Sequence, residues 1–214
     1  MVTHCKSLAN LGFYAVSIDP PGSWDSPGDI SLYTVTIYAK CVEELIEIFG
    51  NKPTFLLGHS LGGTISAIVG IRNDCVKAFA MIMSPYTFVG EEKSPKSHIW
   101  KQKGFADSKR EIPNTNPIEW KYYKLPYSYL LDKLNYDLTD DLARCKKPKL
   151  FIYGEKDESI TPYIVKKEYE IAAEPKTIFG VNCKHGYRRD QEALSCVNTK
   201  IVEFTKYLED ENTI

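Results

Sequence analysis

The chain of 214 residues contains no apolar run approaching the about eighteen residues that would mark a membrane-spanning helix. Its first residues, Met1-Val2-Thr3-His4-Cys5-Lys6, lack the apolar core of a signal peptide, so a soluble, cytoplasmic protein with no membrane partner is expected. Charge of one sign is equally scarce. Net charge is −1 and no long block of like charge occurs, which removes the electrostatic footprint of a nucleic-acid binder. There is no Cys-x-x-Cys pair and no His-Glu-x-x-His, and Cys183-Lys184-His185 is too isolated to suggest zinc, so no metal is expected. The six cysteines are spread from Cys5 to Cys196 rather than gathered into a disulfide framework, and read as reduced thiols. Small or neutral molecules remain the fitting partners.

What is present is an ordinary globular balance, 43% hydrophobic and 26% charged, long enough to bury one core, so a single domain over residues 1–214 is expected. From Gly12 onward, short runs rich in β-branched and aromatic residues alternate with stretches of helical period, the pattern of a parallel sheet with crossover helices and hence an α/β fold. Phe13-Tyr14-Ala15-Val16-Ser17-Ile18 reads as a strand that Asp19-Pro20-Pro21-Gly22 ends, because proline cannot donate to a ladder. After a loop over 23–31, the spacing of Ile37, Cys41, Leu45 and Ile48 predicts a helix with that apolar face, terminated by Gly50. Thr54–Leu57 is a short buried strand, and Ile65, Ile68 and Val69 mark the helix after it. Val76–Met83 and Lys149–Tyr153 are further apolar strands, and Thr177–Phe179 is a weaker one. A last helix carries Leu194, Val197, Ile201, Phe204 and Leu208 on one face.

Residues 86–144 depart from this alternation and show no strand pattern. They hold Trp100, Phe105, Trp120, Tyr122, Tyr123, Tyr127 and Tyr129 among polar residues. Coming after a central strand, the segment is read as an insertion over the carboxyl edge of the sheet, where open α/β folds place ligands. Trp100, Trp120 and Tyr123 are then the candidate substrate contacts. The plainer alternative is a surface excursion whose aromatics pin it to the body.

Gly58-His59-Ser60-Leu61-Gly62-Gly63 follows directly on a buried strand and opens a helix, the context in which a G-x-S-x-G sequence forms a nucleophile elbow. Such a turn projects the serine hydroxyl, and glycines two residues to either side let strand and helix close up. The N–H of Leu61, at the positive end of the helix, is the candidate oxyanion donor.

A serine hydroxyl becomes a nucleophile at neutral pH only with a histidine to take its proton and a carboxylate to fix that histidine's tautomer. Four histidines are available. His4 is near the terminus, His59 sits inside the elbow where it cannot easily reach back to Ser60, and His98 lies in the insertion. His185 remains, in a loop between the last strand and the final helix. Asp157, in the turn from Tyr153 to Pro162 after a strand, is the candidate acid. Glu155 and Glu158 read as solvated turn charges, as Asp157 itself would outside this context. Tyr187-Arg188-Arg189, beside His185, offers either a contact for an anionic substrate or a solvated approach to the helix.

The chain resembles the α/β-hydrolase superfamily, particularly its small bacterial-type esterases and serine aminopeptidase-like members, from about Leu8 to the carboxyl end. The resemblance rests on Gly12–Val16 leading to Asp19 and Gly22, the Gly58–Gly63 elbow, Gly154-Glu155-Lys156-Asp157 with Pro162 behind it, and His185-Gly186-Tyr187. It implies a mostly parallel sheet flanked by helices, a triad of Ser60, Asp157 and His185 in the superfamily's chain order, and a short cap over an acyl pocket formed by residues 86–144. Members normally begin with further strands and a His-Gly loop that gives a second oxyanion donor. Met1–Leu11 holds neither, so roughly the first thirty residues of a complete member are expected to be absent, leaving a sheet edge uncovered.

The expected reaction is hydrolysis of a carboxylic ester of a small molecule through an acyl-enzyme, without a cofactor. The same triad also serves amide, peptide and thioester cleavage, and a hydrolase fold lacking an oxyanion donor also serves as a binding protein.

Overall fold

The computed structural model describes residues 1–112, 115 and 117–214. In chain order it runs through α1 (Val2–Ala9), α2 (Val35–Ile48), β1 (Thr54–His59), α3 (Leu61–Arg72), β2 (Val76–Ile82), α4 (Pro95–Lys103), β3 (Phe105–Glu111) and β4 (Trp120–Pro126). There follow α5 (Tyr127–Lys133), α6 (Thr139–Arg144), β5 (Lys149–Gly154), α7 (Pro162–Ile171), β6 (Lys176–Val181) and α8 (Gln191–Asp210). Among the described residues no helix is long and apolar enough to cross a membrane.

The chain divides into two units. The first holds Met1–Ser17, Glu43–Tyr86 and Leu138–Ile214, and the second holds Ile18–Val42 and Thr87–Asp137. In the first, β1, β2, β5 and β6 form a parallel sheet in the order β1-β2-β5-β6. The β2 run Val-Lys-Ala-Phe-Ala-Met-Ile is almost wholly buried, as a central parallel strand covered by helices on both faces must be. Ala78, Ala80 and Ile82 join a cluster with Leu8 of α1 and Val197, Ile201, Phe204 and Leu208 of α8. Phe79 turns to the opposite face, where α3 crosses so closely that a Cβ on Gly70 would lie 2.6 Å from its ring. Lys149 opens β5 fully buried, its ammonium satisfied by the carbonyls of Cys145 and Ala173 at 2.9 and 2.8 Å.

Two expectations about the first third of the chain are corrected. Among the described residues Phe13–Ile18 joins no ladder, and β1, at the sheet's edge, pairs with β2 alone. Strand propensity describes a fit to a pleated, half-buried surface, and without a neighbouring ladder it fixes no strand. The alternation survives in burial, since Phe13 and Ala15 pack on the core while Tyr14 is 82% exposed. In α2 the buried stripe is Val35, Ala39 and Ile46, while Ile48 is 75% exposed and Ile37, Cys41 and Leu45 are half-buried. Both stripes have helical spacing, and only packing chooses between them. Gly50 ends the helix as expected, with φ of 81° and its N–H donating to Glu47 O.

The second unit overturns the expectation that residues 86–144 hold no strands. β3 and β4 pair antiparallel from Phe105↔Pro126 to Glu111↔Trp120. The hairpin escapes a hydrophobic-period reading because its outer face mixes Asp107, Lys109 and Glu111 with Lys124, Tyr122 and Trp120. Cross-strand contacts hold it instead: Lys109 stands 4.3 Å from the Trp120 ring and Lys124 4.9 Å from that of Phe105. Beneath lie Leu125, Leu130 and the stacked rings of Tyr33 and Tyr129.

Candidate active site

Ser60 connects β1 to α3 with φ 56° and ψ −128°, a backbone conformation costly for any residue but glycine. Main-chain bonds hold it there: Ser60 N–H donates to Ile82 O at the end of β2 and Gly63 N–H donates to Ser60 O, both at 2.9 Å, and Thr64 N–H donates to Ser60 O at 3.4 Å. The flanking glycines are steric necessities. A Cβ on Gly58 would lie 2.1 Å from the Gly62 carbonyl, and one on Gly63 would lie 1.9 Å from Ser84 Oγ. Leu61 begins α3, so its N–H is one of the first-turn donors that no carbonyl of the helix can take up.

The carboxyl ends of β5 and β6 are neighbours in the sheet, and the loops that leave them are tied together. Glu155 N–H donates to Val181 O at 2.8 Å and Lys156 N–H to Cys183 O at 3.0 Å. This brings Asp157 and His185 side by side. Asp157 is 3% exposed; its Oδ1 accepts from the N–H groups of Ser159 and Ile160 at 2.8 and 2.9 Å. Its Oδ2 lies 2.7 Å from His185 Nδ1, and His185 Nε2 lies 3.1 Å from Ser60 Oγ. An ionised carboxylate can only accept, so Nδ1 carries the hydrogen and Nε2 offers its lone pair to the serine hydroxyl. The three side chains thus form a continuous chain along which a proton can pass from serine to imidazole.

Two further groups touch this arrangement and escaped the sequence reading. The His59 ring, discounted because it does not reach Ser60, lies 4.6 Å from that of His185. Burial drives its pKa well below the usual histidine value, helped by the positive charge of Arg188, so the ring is neutral. Tyr187, 1% exposed, stands edge-on to His59 at 5.2 Å, and its hydroxyl is 2.7 Å from Nε2 of buried His4. Tyr187 is therefore core, whereas Arg188 and Arg189 are exposed. A tyrosine next to a loop histidine gives no sequence signal of such depth.

The aromatic residues expected to contact substrate belong to the second unit and do not share one surface there. Trp120 and Tyr123 are an odd number of residues apart in β4 and so face opposite sides of the hairpin. Tyr123 lines a small cavity with Trp24, Tyr33 and Arg110, its hydroxyl accepting from Trp24 N–H at 2.8 Å. Trp100 donates its indole N–H to Leu125 O at 2.9 Å and stacks on Tyr129. Among the described residues no cluster of side chains suited to a metal ion occurs.

Comparison with known proteins places this geometry in context. A family model described as alpha/beta hydrolase fold matches residues 5–106. The lysophosphatidylserine lipase ABHD12 of Danio rerio is 28% identical over 181 residues, 82% of this chain and 44% of the relative. The human protein ABHD12B is 28% identical over 78% of this chain and 44% of its own length. The chain thus spans under half the length of these relatives. Among solved structures, a monoacylglycerol lipase from Paleococcus ferrophilus superposes with a TM-score of 0.73 at 22% identity, covering 94% of this chain and 86% of that one. Est1E from Butyrivibrio proteoclasticus, solved with ferulic acid bound, gives 0.71 at 16% identity over 96% and 81%.

Proposed function

Because the chain belongs to the α/β-hydrolase superfamily, we infer that it is a serine hydrolase acting on carboxylic esters, with Ser60 as nucleophile, His185 as base and Asp157 as the acid that orients the base. The observation that carries this reading is the unbroken contact from Asp157 Oδ2 through the His185 ring to Ser60 Oγ, at 2.7 and 3.1 Å. Ser60 Oγ attacks the ester carbonyl carbon as its proton passes to His185 Nε2, and the carbonyl oxygen gains the negative charge. The Leu61 N–H, at the positive end of α3, is the donor best placed by sequence to receive that charge. Collapse breaks the bond to the alcohol, which leaves with the proton from Nε2. Water then repeats the sequence on the acyl-serine, with His185 taking its proton, and the carboxylic acid departs. Asp157 stabilises the imidazolium formed in both halves.

The names of the relatives, a lysophosphatidylserine lipase and a monoacylglycerol lipase, support single-chain lipid esters as the first substrates to assay. A fluorophosphonate probe tests the nucleophile directly. Stoichiometric labelling of the folded parent and none of its Ser60→Ala variant is the expected result. A folded parent that resists the probe refutes the assignment.

A further inference from the structure

In the reaction just described the proton path runs along one edge of the His185 ring, from Asp157 to Ser60, and nothing in it uses the ring's face. That face is occupied. The His59 and His185 centroids are 4.6 Å apart with the planes inclined at 41°. Tyr187 packs against His59 in an edge-to-face contact, at 5.2 Å and 80°. Tyr187 is in turn held through its hydroxyl by His4 Nε2 at 2.7 Å, and His4 Nδ1 by Asn198 Oδ1 of α8 at 3.0 Å. A contiguous run of hydrogen bonds and ring contacts therefore connects α8 to His185.

His59 meets His185 in two ways, through a hydrogen bond to its main chain and through the ring face. Its Nε2 is buried with no hydrogen-bond partner among the described residues, an arrangement folded proteins seldom retain without a use for the group. Burial holds it neutral, and a positive His185 opposes its protonation further. A neutral flat ring at this distance limits tilting of His185 away from Ser60 and keeps water from that side. It also sets a π-surface against the imidazolium created each time the serine is deprotonated, within the range at which such surfaces attract cations.

We propose that His59 is a positioning residue, a neutral aromatic platform braced by Tyr187 that holds His185 between Asp157 and Ser60 as its charge changes. The proposal rests on the hydrolase reading, and its test separates the two. The experiment compares ester turnover by the full chain carrying His59→Ala, His59→Gln or His59→Phe, with Ser60→Ala as control. Loss of the ring in the Ala and Gln variants lowers kcat about tenfold or more while KM stays within about threefold, since a displaced base spoils the transition state rather than binding. His59→Phe, which keeps a neutral ring and discards both nitrogens, recovers kcat to within about threefold of the parent. The far-downfield proton resonance of His185 Nδ1–H broadens in the Ala and Gln variants and stays sharp in the Phe variant. The Gln variant carries the comparison if the Ala variant does not fold. Parent-like kcat in both ring-less variants, or a Phe variant as impaired as the Gln variant, overturns the platform while an inactive Ser60→Ala leaves the hydrolase reading standing. An active Ser60→Ala overturns the hydrolase reading itself.

Discussion

Asp157 meets His185 with only one of its carboxylate oxygens, Oδ2 at 2.7 Å from Nδ1, because Oδ1 is already engaged by the N–H groups of Ser159 and Ile160. The carboxylate therefore cannot rotate to present its other oxygen without breaking two backbone bonds. The turn after β5 fixes the acid, and the acid fixes the tautomer of the base.

Asp157→Asn tests that chain of dependence. The amide oxygen can still accept from Ser159 and Ile160, which turns the amide NH2 toward His185 and forces the hydrogen onto Nε2, where it cannot accept the serine proton. The variant keeps the parent's thermal midpoint within a few degrees and loses on the order of 10³ to 10⁴ in kcat. Comparable turnover by the two proteins would show that Asp157 does not set the tautomer.

Gly63→Ala drives a methyl group to 1.9 Å from Ser84 Oγ and 2.8 Å from Ser84 Cβ. Overpacking of this kind costs about 1–3 kcal/mol and displaces the elbow, so stability and turnover fall together. Ser84→Gly removes both of those contacts. Urea denaturation of the single and double variants is expected to give a favourable coupling of about 0.5 kcal/mol or more, and strict additivity would contradict the contact.

Glu168 on α7 is fully buried, both carboxylate oxygens lack a partner among the described residues, and burial raises its pKa well above the ordinary 4.5. The folded state thus holds a proton that the unfolded state releases above about pH 4.5, so this residue's stability contribution is complete below that pH and declines as pH rises toward the folded pKa. Glu168→Met removes the buried polar atoms at similar length and stabilises the protein by about 1–3 kcal/mol at pH 8. The advantage shrinks as pH falls to 4, which urea midpoints across that range will register; a constant gap would mean that Glu168 is ionised in the fold.

His4 carries the opposite sign. Burial lowers its pKa below 6.5, so the unfolded chain takes up a proton that the folded chain refuses, and stability drains as pH falls below about 6.5. His4→Gln loses hydrogen bonding to Tyr187 or Asn198 and is about 1–2 kcal/mol less stable at pH 8. The deficit narrows toward pH 5, because glutamine does not titrate. Parallel stability curves for the two proteins would rule out a neutral, buried His4.

Much of the first unit was legible because its signals are local and redundant. The strands at Thr54–His59, Val76–Ile82 and Lys149–Gly154 are apolar runs broken by turn residues, and α8 shows its face through Val197, Ile201, Phe204 and Leu208. Chain order and the turn residues also brought Ser60, Asp157 and His185 into one hypothesis that the distances can be set against. What stayed hidden depends on partners remote in sequence. The β3–β4 hairpin is held by lysine–aromatic pairs across strands, Phe13–Ile18 has strand residues without a ladder, and His59 gains its surroundings only when β6 delivers His185 and Tyr187 beside β1.

The most direct measurement is hydrolysis of a graded series of p-nitrophenyl acyl esters by the folded chain and by its Ser60→Ala variant. The account predicts turnover by the parent that varies with acyl length and falls to the uncatalysed rate when Ser60 is replaced. Equal rates from the two proteins would contradict it.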